Sequence, residues 1–197
     1  MQLLVVHANP ETSSFGAAVC TAAVEGARTA GHQVLLVDLY AEDFDPCLTS
    51  EEHRRYLEVG RDHPDPVVRR HIELLRRADG LVFVYPTWWS GLPAIAKGWL
   101  ERVLLPEVAF VLDPRTNRVR PGLRNLRRLV GITTLGGPRW EAMITGNAGR
   151  RTITRSVRAI AGPRCRTRWL SLHGMDRTTD QQRQEFLHRV RTSMRDL

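Results

Sequence analysis

Short apolar runs and amphipathic stretches alternate along the whole chain. The apolar runs have the length and the β-branched content of strands, and they fall at residues 3–7, 34–38, 81–85, 129–134 and 168–172. Helical spacing of apolar residues fills the intervals, at about 15–30, 49–59, 67–78, 93–104, 152–161 and 179–194. The run at 81–85 is apolar at every position, which indicates burial on both faces.

This alternation predicts an α/β fold, a doubly wound five-stranded parallel sheet with helices on both faces. Parallel strands need crossover connections, and the helices that make them cover the sheet. The pattern also has a brief apolar piece at 108–112, followed by a polar loop to about residue 124. A length of 197 residues favours a single domain, residues 1–197. Ligands bind such sheets at the carboxyl ends of strands, so the loops after His7, Tyr85 and Thr134 are the candidate site.

Composition narrows the class of protein. No apolar run approaches the ~20 residues that span a bilayer, and the first residues lack a basic flank and a cleavage site. We therefore expect a cytoplasmic protein without an integral membrane segment. Three cysteines, at 20, 47 and 165, lie outside any CxxC motif, and the histidines are scattered. Neither a disulfide framework nor a metal site is predicted.

Charge is divided unevenly along the chain, whose formal net charge is +8. Residues 1–112 carry 10 basic and 15 acidic side chains, whereas the remainder carries 19 and 6. A positive field of this kind is compatible with a solvated surface, with attraction of phosphorylated ligands or with nucleic acid. The sequence has no recognition-helix motif and no aromatic RNA platform, so nucleic acid is disfavoured as a partner.

The loop after the first strand places hydroxyl groups where a helix begins, at Ser13 and Ser14. Free N–H groups at a helix start, together with hydroxyl donors, favour a phosphate, and His7 could donate to the same anion. The competing interpretation is that one serine is simply the N-cap. The loop matches neither GxGxxG nor GxxxxGK[ST], which disfavours a Rossmann nicotinamide site and a nucleoside triphosphatase.

The other two loops offer an aromatic wall and glycines. Trp88 and Trp89 are adjacent, and neighbouring side chains tend to point in different directions, so we expect at least one to face a ligand. An aromatic wall beside backbone polar groups suits a flavin ring, although both rings could instead cover the sheet edge or a subunit contact. In the third loop, Gly136 and Gly137 let the backbone approach a ligand closely.

These residues resemble the flavodoxin-fold NAD(P)H:quinone oxidoreductases, a family that includes DT-diaphorase-like enzymes and the ancillary subunits of glutathione-gated potassium efflux systems. The longest match is PTWWSGLPAIAKGWLERV at 86–103. The segments at 7–15, 38–41 and 132–137 match in order and separation, so the resemblance covers most of residues 1–140. It implies a flavodoxin-like fold and a homodimer with flavin at its interface.

The resemblance also implies roles for individual residues. The implied cofactor-binding residues are His7, Ser13, Ser14, Phe15, Pro86, Thr87, Trp88, Trp89, Ser90, Thr133, Thr134, Leu135, Gly136 and Gly137. The first-loop residues would lie near the phosphate and ribityl end, and the other two loops would border the isoalloxazine. Gly136, Gly137 and Trp140 are the candidate catalytic residues, while Phe110 and Trp140 are the candidate substrate pocket.

The chain departs from the family pattern in two places. DT-diaphorase-like enzymes have a Tyr and, six residues on, a His near the flavin, whereas this chain has Trp140 and then Gly146 and Asn147. The proton donor is therefore left open. A counterpart of the C-terminal segment that holds adenine in FAD-binding members is not evident, so FMN is favoured over FAD as cofactor.

The expected function is a two-step, ping-pong transfer. NAD(P)H, the co-substrate, passes hydride to flavin N5 and leaves, and a quinone or related aromatic acceptor then takes the same position. The alternative is a non-enzymatic flavin-binding module, regulatory or electron-carrying, that docks on a partner protein.

Overall fold

The computed structural model of the chain describes residues 1–56, 58, 63–113, 115–116 and 118–197. The strands among these residues are β1 (Gln2–His7), β2 (Gln33–Asp38), β3 (Gly80–Pro86), β4 (Phe110–Leu112), β5 (Val119–Pro121), β6 (Arg128–Thr134) and β7 (Arg166–Leu172). The helices are α1 (Phe15–Thr29), α2 (Ser50–Arg55), α3 (Pro66–Arg77), α4 (Ala94–Val103), α5 (Arg139–Ile144), α6 (148–160) and α7 (Asp180–Arg195). Helix α6 includes a π-helical segment, Thr152–Val157.

The main sheet has five strands in the order β2-β1-β3-β6-β7, and every neighbouring pair is parallel. The chain winds outward from β1 to β2 and then returns to the other side of β1 for β3. The reversal of winding therefore lies between β1 and β3. This confirms the predicted five-stranded parallel sheet and its doubly wound order.

Two apolar layers cover the sheet, because successive side chains of each strand point to opposite faces. Leu4, Leu81 and Leu129 face a cluster that contains α3, α4 and α6. Val5 and Val82, with their neighbours, face the cluster built by α1 and α7. The predicted helices on both faces are confirmed.

Local signals set where several helices begin. Ser14 caps α1, and Thr49 with Glu52 forms the capping box that the sequence predicts for α2. Asp65 caps α3 with a proline at the first helical position. The described part of α2 ends at Arg55, and the predicted end near Val59 lies outside the described residues.

The region from 106 to 148 differs from its sequence-based prediction. The apolar piece at 108–112 becomes β4, which pairs antiparallel with β5 in a separate two-stranded sheet, whereas β5 was expected to be loop. Helix α5 was not predicted, because it buries none of its residues and its N-cap, Pro138, has no side-chain cap. Helix α6 begins at Ala148, four residues before its predicted start.

Candidate functional site

Three loops meet at the carboxyl edge of the central strands β1, β3 and β6. The amide of Ala8 donates to Val84 O at 3.0 Å, which ties the first loop to β3. The amide of Thr87 donates to Thr134 O at 2.8 Å, and the hydroxyls of Thr87 and Thr133 are also 2.8 Å apart. The first loop, residues 8–14, is therefore bonded to β3, and the second, residues 87–93, is bonded to the end of β6, from which the third, residues 135–138, continues. The three loops thus lie at one edge of the sheet, as the parallel topology predicts.

The first loop uses its two serines differently. Ser14 is the N-cap: its hydroxyl accepts from Ala17 N and Asn9 Nδ2 and donates to Glu11 O, so its hydrogen-bonding capacity is taken up inside the loop. Ser13 donates its amide at 3.0 Å and its hydroxyl at 2.6 Å to the Glu11 carboxylate, and these bonds lower the pKa of Glu11. The donors of Ser13 thus already bind an anionic oxygen.

His7 ends β1 beneath this loop and is 4% exposed. Its Nδ1 lies 3.0 Å from Asp38 Oδ2, at the end of the neighbouring strand β2. Within the described residues, its buried Nε2 has no hydrogen-bond partner. Buried polar atoms are almost always satisfied, so this nitrogen marks a position that a ligand group could occupy.

The second loop contains a tight turn that carries an exposed indole. Trp88 and Gly91 exchange backbone hydrogen bonds of 3.2 and 2.8 Å, and the residues between them have φ angles of 46° at Trp89 and 59° at Ser90. Positive φ at both central positions defines a type I′ turn, which normally uses glycine or asparagine. Trp89 is fully exposed, and a bulky residue held in this strained geometry suggests a functional site.

The third loop is fixed to the end of β7. Leu135 N donates to Leu172 O at 2.8 Å, and Gly137 O accepts from Gly174 N at 2.9 Å. A Cβ on Gly137 would collide with the Glu141 carboxylate, which therefore lies directly over the glycine backbone. A side chain at position 137 would close the approach to this part of the loop.

The second and third loops together form a cleft of about 210 Å³. It is lined by six of the predicted residues, Thr87, Trp89, Ser90, Leu135, Gly136 and Gly137. Its remaining wall includes Glu141 and Thr145, which the sequence did not indicate, and Asn147, which the sequence indicated only as a departure from the family pattern. Glu141 was missed because it lies on α5, which was not predicted. Among the described residues that line the cleft, Glu141 is the one titratable side chain.

The other predicted site residues lie around this cleft rather than in its wall. His7, Thr133 and Thr134 line a narrow crevice beside it. Phe15 is half-buried, with its ring centroid 6.3 Å from that of Phe186. Pro86 ends β3, and Trp88 and Trp140 are each 60% exposed near the cleft.

Phe110 lies on the β4–β5 hairpin and packs partly buried against the α3–α4 side of the core. It is not part of the cleft wall of its own chain. Its role in the substrate pocket, which the resemblance implies, stays a prediction.

A larger cleft, of about 450 Å³, lies between α2, α3 and residues 105–108. It contains none of the predicted site residues among the described residues that line it. Beneath it, the buried Arg102 guanidinium donates to Glu52 at 2.6 Å and to Asp65 at 2.8 Å. These bonds oppose the effect of burial and lower the pKa of both carboxyls, so this region is best explained as a structural ion network.

The described residues contain neither a candidate metal-ligand cluster nor a membrane-spanning helix. Over the described ranges, the histidine, cysteine and carboxylate side chains form no group of three that could hold a metal ion. No helix in the part of the chain that the structure describes is long and apolar enough to cross a membrane.

Comparison with known proteins gives consistent matches. A family model described as a flavodoxin-like fold matches residues 1–196. The chain is 34% identical over 149 residues to NAD(P)H dehydrogenase (quinone) 1 of Rattus norvegicus. The aligned region covers 68% of this chain and 53% of the relative. The chain thus spans about half the length of that curated relative.

Two solved structures are similar to this chain along nearly their full length. An NAD(P)H:quinone oxidoreductase from Methanothermobacter marburgensis has 29% identity and a TM-score of 0.81, covering 100% of this chain and 98% of that chain. An FMN-dependent NADH-azoreductase from Bacillus anthracis, solved in complex with FMN, has a TM-score of 0.74 at 14% identity, covering 98% and 97%. The second match shows the fold alone.

Proposed function

We propose that this chain, which belongs to the flavodoxin-like fold family, is a flavin-dependent NAD(P)H oxidoreductase that reduces quinone-like acceptors. The observation that carries the proposal is the cleft in which the strained, fully exposed Trp89 meets the glycine backbone of the third loop. The names of the rat and Methanothermobacter relatives support the choice of reaction.

The residues at the carboxyl edge fit an FMN molecule in two parts. Trp89 offers a flat apolar wall for a planar ring, and the backbone at Gly136 and Gly137 can come close to the ring's polar edge. The first loop fits the phosphate end, because Ser13 already holds a carboxylate and the His7 Nε2 atom is buried without a partner among the described residues. FMN is proposed over FAD, and the mass of the released cofactor distinguishes them.

A flavin held by these residues would supply hydride transfer from NAD(P)H to the acceptor, which we propose is divided into two separate half-reactions. The chain's own part is to bind, orient and stabilise charge. Backbone dipoles around Gly136 and Gly137 would offset negative charge that develops at the ring edge. Trp140 borders the open side, where nicotinamide and acceptor would bind in turn.

Proton handling in the cleft falls to a different residue than in DT-diaphorase-like enzymes. Trp140, Gly146 and Asn147 stand where that pattern places its Tyr and His, and none of them titrates near neutral pH. The Glu141 carboxylate lies in the cleft wall, over Gly137. We propose that Glu141 Oε2 is the side-chain atom of the cleft wall that exchanges a proton with the acceptor.

A second copy of the chain would complete the site. A cleft of about 210 Å³ is below the roughly 300–1,000 Å³ of ligand pockets. Trp89 is fully exposed, and on α5 Trp140, Met143 and Ile144 are 60 to 80% exposed. Apolar side chains grouped in this way mark an interaction surface. A homodimer that covers them would enclose the ring and exclude water.

The test is turnover by purified protein reconstituted with FMN. With NADPH or NADH and menadione, the proposal expects steady nicotinamide oxidation that depends on both flavin and quinone. Bound flavin that neither nicotinamide reduces would refute the enzyme and favour the alternative, a flavin-binding module that docks on a partner.

A further inference from the structure

A pair formed by a buried histidine and a partly exposed aspartate lies at the ends of the neighbouring strands β1 and β2. His7 and Asp38 are register partners on β1 and β2, and His7 Nδ1 lies 3.0 Å from Asp38 Oδ2. The His7 side chain is 5% exposed, and across the described residues its Nε2 finds no hydrogen-bond partner. Leaving such an atom unsatisfied costs free energy, which a ligand atom at Nε2 would recover.

Asp38 is held so that it fixes the imidazole. Its Oδ1 accepts from the amides of Tyr40 at 3.1 Å and Ala41 at 3.2 Å, which leaves Oδ2 directed at His7. A carboxylate can only accept, so Nδ1 carries a proton and donates it to Asp38. Nε2 therefore has either a lone pair or, in the imidazolium, a second N–H.

The surroundings of Nε2 favour an anion. His7 lines a narrow crevice with Asn9 and with Gly16, in the first turn of α1. That first turn contains no acidic residue, so the side chains of the helix itself do not offset the positive end of its dipole. At the rim of the same loop, Ser13 donates twice to the Glu11 carboxylate.

The charged and titratable groups near His7 come from each element around it. Asp38 on β2 and Glu11 in the loop are the carboxylates. Burial raises the pKa of Cys20 on α1 to about 12 and also raises the pKa of Tyr85 on β3, so both stay neutral. From β6 the crevice receives Ile132, Thr133 and Thr134, which do not titrate. Among the described residues that line this crevice, the His7 imidazole is thus the one side chain that can carry a positive charge.

We propose that Asp38 is a positioning residue that makes phosphate binding at His7 proton-coupled. One phosphate dianion and one proton from solvent bind together: Nε2–H donates to a phosphate oxygen while Nδ1–H donates to Asp38. A neutral imidazole would instead direct its lone pair at the phosphate oxygen, which repels it. The inference rests on the proposed function, since the phosphate is that of FMN.

The test compares FMN with riboflavin, which shares the ring and lacks the phosphate. Flavin-free protein is titrated calorimetrically at pH 8 in two buffers of different ionisation enthalpy. We expect FMN to bind with net uptake of protons, up to one per site, and riboflavin to bind with none. Asp38→Asn should weaken FMN binding by about tenfold to a hundredfold, the value of a charge-assisted hydrogen bond, and remove the proton uptake. Riboflavin affinity should not change.

Asp79→Asn is the matched control. Asp79 also accepts a backbone amide, from Gln2 at 2.8 Å, but it lies at the opposite edge of the sheet and should leave both affinities unchanged. If Asp38→Asn does not fold, the number of protons that the wild-type protein takes up on binding FMN still tests the inference. Tight binding of both flavins without proton uptake overturns this inference alone. Failure of the wild-type protein to bind either flavin overturns the proposed function and this inference with it.

Discussion

Replacing Trp89 by glycine should stabilise the flavin-free protein and weaken its binding of flavin. Trp89 has φ of 46° and is fully exposed, so the substitution removes strain without removing a buried side chain. A left-handed conformation costs a non-glycine residue about 1–2 kcal/mol, and the greater freedom of glycine in the unfolded chain offsets about 0.5–1 kcal/mol. The net expectation is a gain of about 0.5–1 kcal/mol in the free energy of unfolding.

The effect on binding has the opposite sign. If one face of the indole covers the flavin ring, the contact buries about 100 Å² of apolar surface, roughly half of what a tryptophan can bury. At about 25 cal/mol per Å² this is about 2.5 kcal/mol, which raises the dissociation constant roughly fiftyfold.

Two measurements and a matched variant separate these effects. Urea unfolding of flavin-free protein, followed by circular dichroism, gives the stability, and quenching of flavin fluorescence gives the affinity. Trp89→Ala keeps the strained backbone, so it should match wild-type stability and still lose the affinity. A Trp89→Gly variant that is less stable than wild type by more than about 1 kcal/mol, or that binds flavin unchanged, would refute the reasoning.

Three further changes test the packing and the buried charges. In Gly98→Ala the added Cβ would lie 2.5 Å from Pro46 Cα, so the backbone would have to move. Urea unfolding should therefore show a free energy of unfolding lower by about 2 kcal/mol. Arg102→Met leaves the buried carboxylate of Glu52 without its cation and should cost about 3–5 kcal/mol, seen as a lower melting temperature. Burial lowers the pKa of His71, so the unfolded chain binds the proton first, and stability should fall as pH drops below about 6.5.

Each of these has a result that contradicts it. Lys97→Met removes an exposed pair with Glu101 and should change stability by less than about 0.5 kcal/mol, so an effect equal to that of Arg102→Met would contradict the role of burial. Wild-type stability for Gly98→Ala would show that the helix can shift away from Pro46. For His71, equal free energies of unfolding at pH 7.5 and 5.5 would be the contrary result.

The main sheet could be predicted from sequence because its signals are local. The central strands are apolar on both faces, the edge strands are short apolar or β-branched runs, and a parallel order requires helical crossovers. Each strand of the main sheet is therefore predicted within about two residues of its observed limits. The β4–β5 hairpin could not be predicted, since β5 is a polar segment whose strand character comes from its partner. Helix α5 lacks a buried face, so it has no periodic signal.

The sequence predicts which three loops form the candidate site, but it does not predict most of the contacts within them. Topology brings the loops together wherever the strand order is correct. The turn at Trp89 has no propensity signal, because tryptophan and serine are unusual at its left-handed positions. The hydrogen bond between His7 and Asp38 could not be predicted, because it depends on the register between β1 and β2 of two residues that are 31 apart in the sequence. Ser14 proved to be the N-cap, the alternative that the sequence left open.

The most direct test of the central claim is the visible absorption spectrum of the purified protein after incubation with FMN and removal of free flavin by gel filtration. The account predicts that flavin absorption elutes with the protein at close to one FMN per chain. Protein that elutes colourless after this treatment would contradict it.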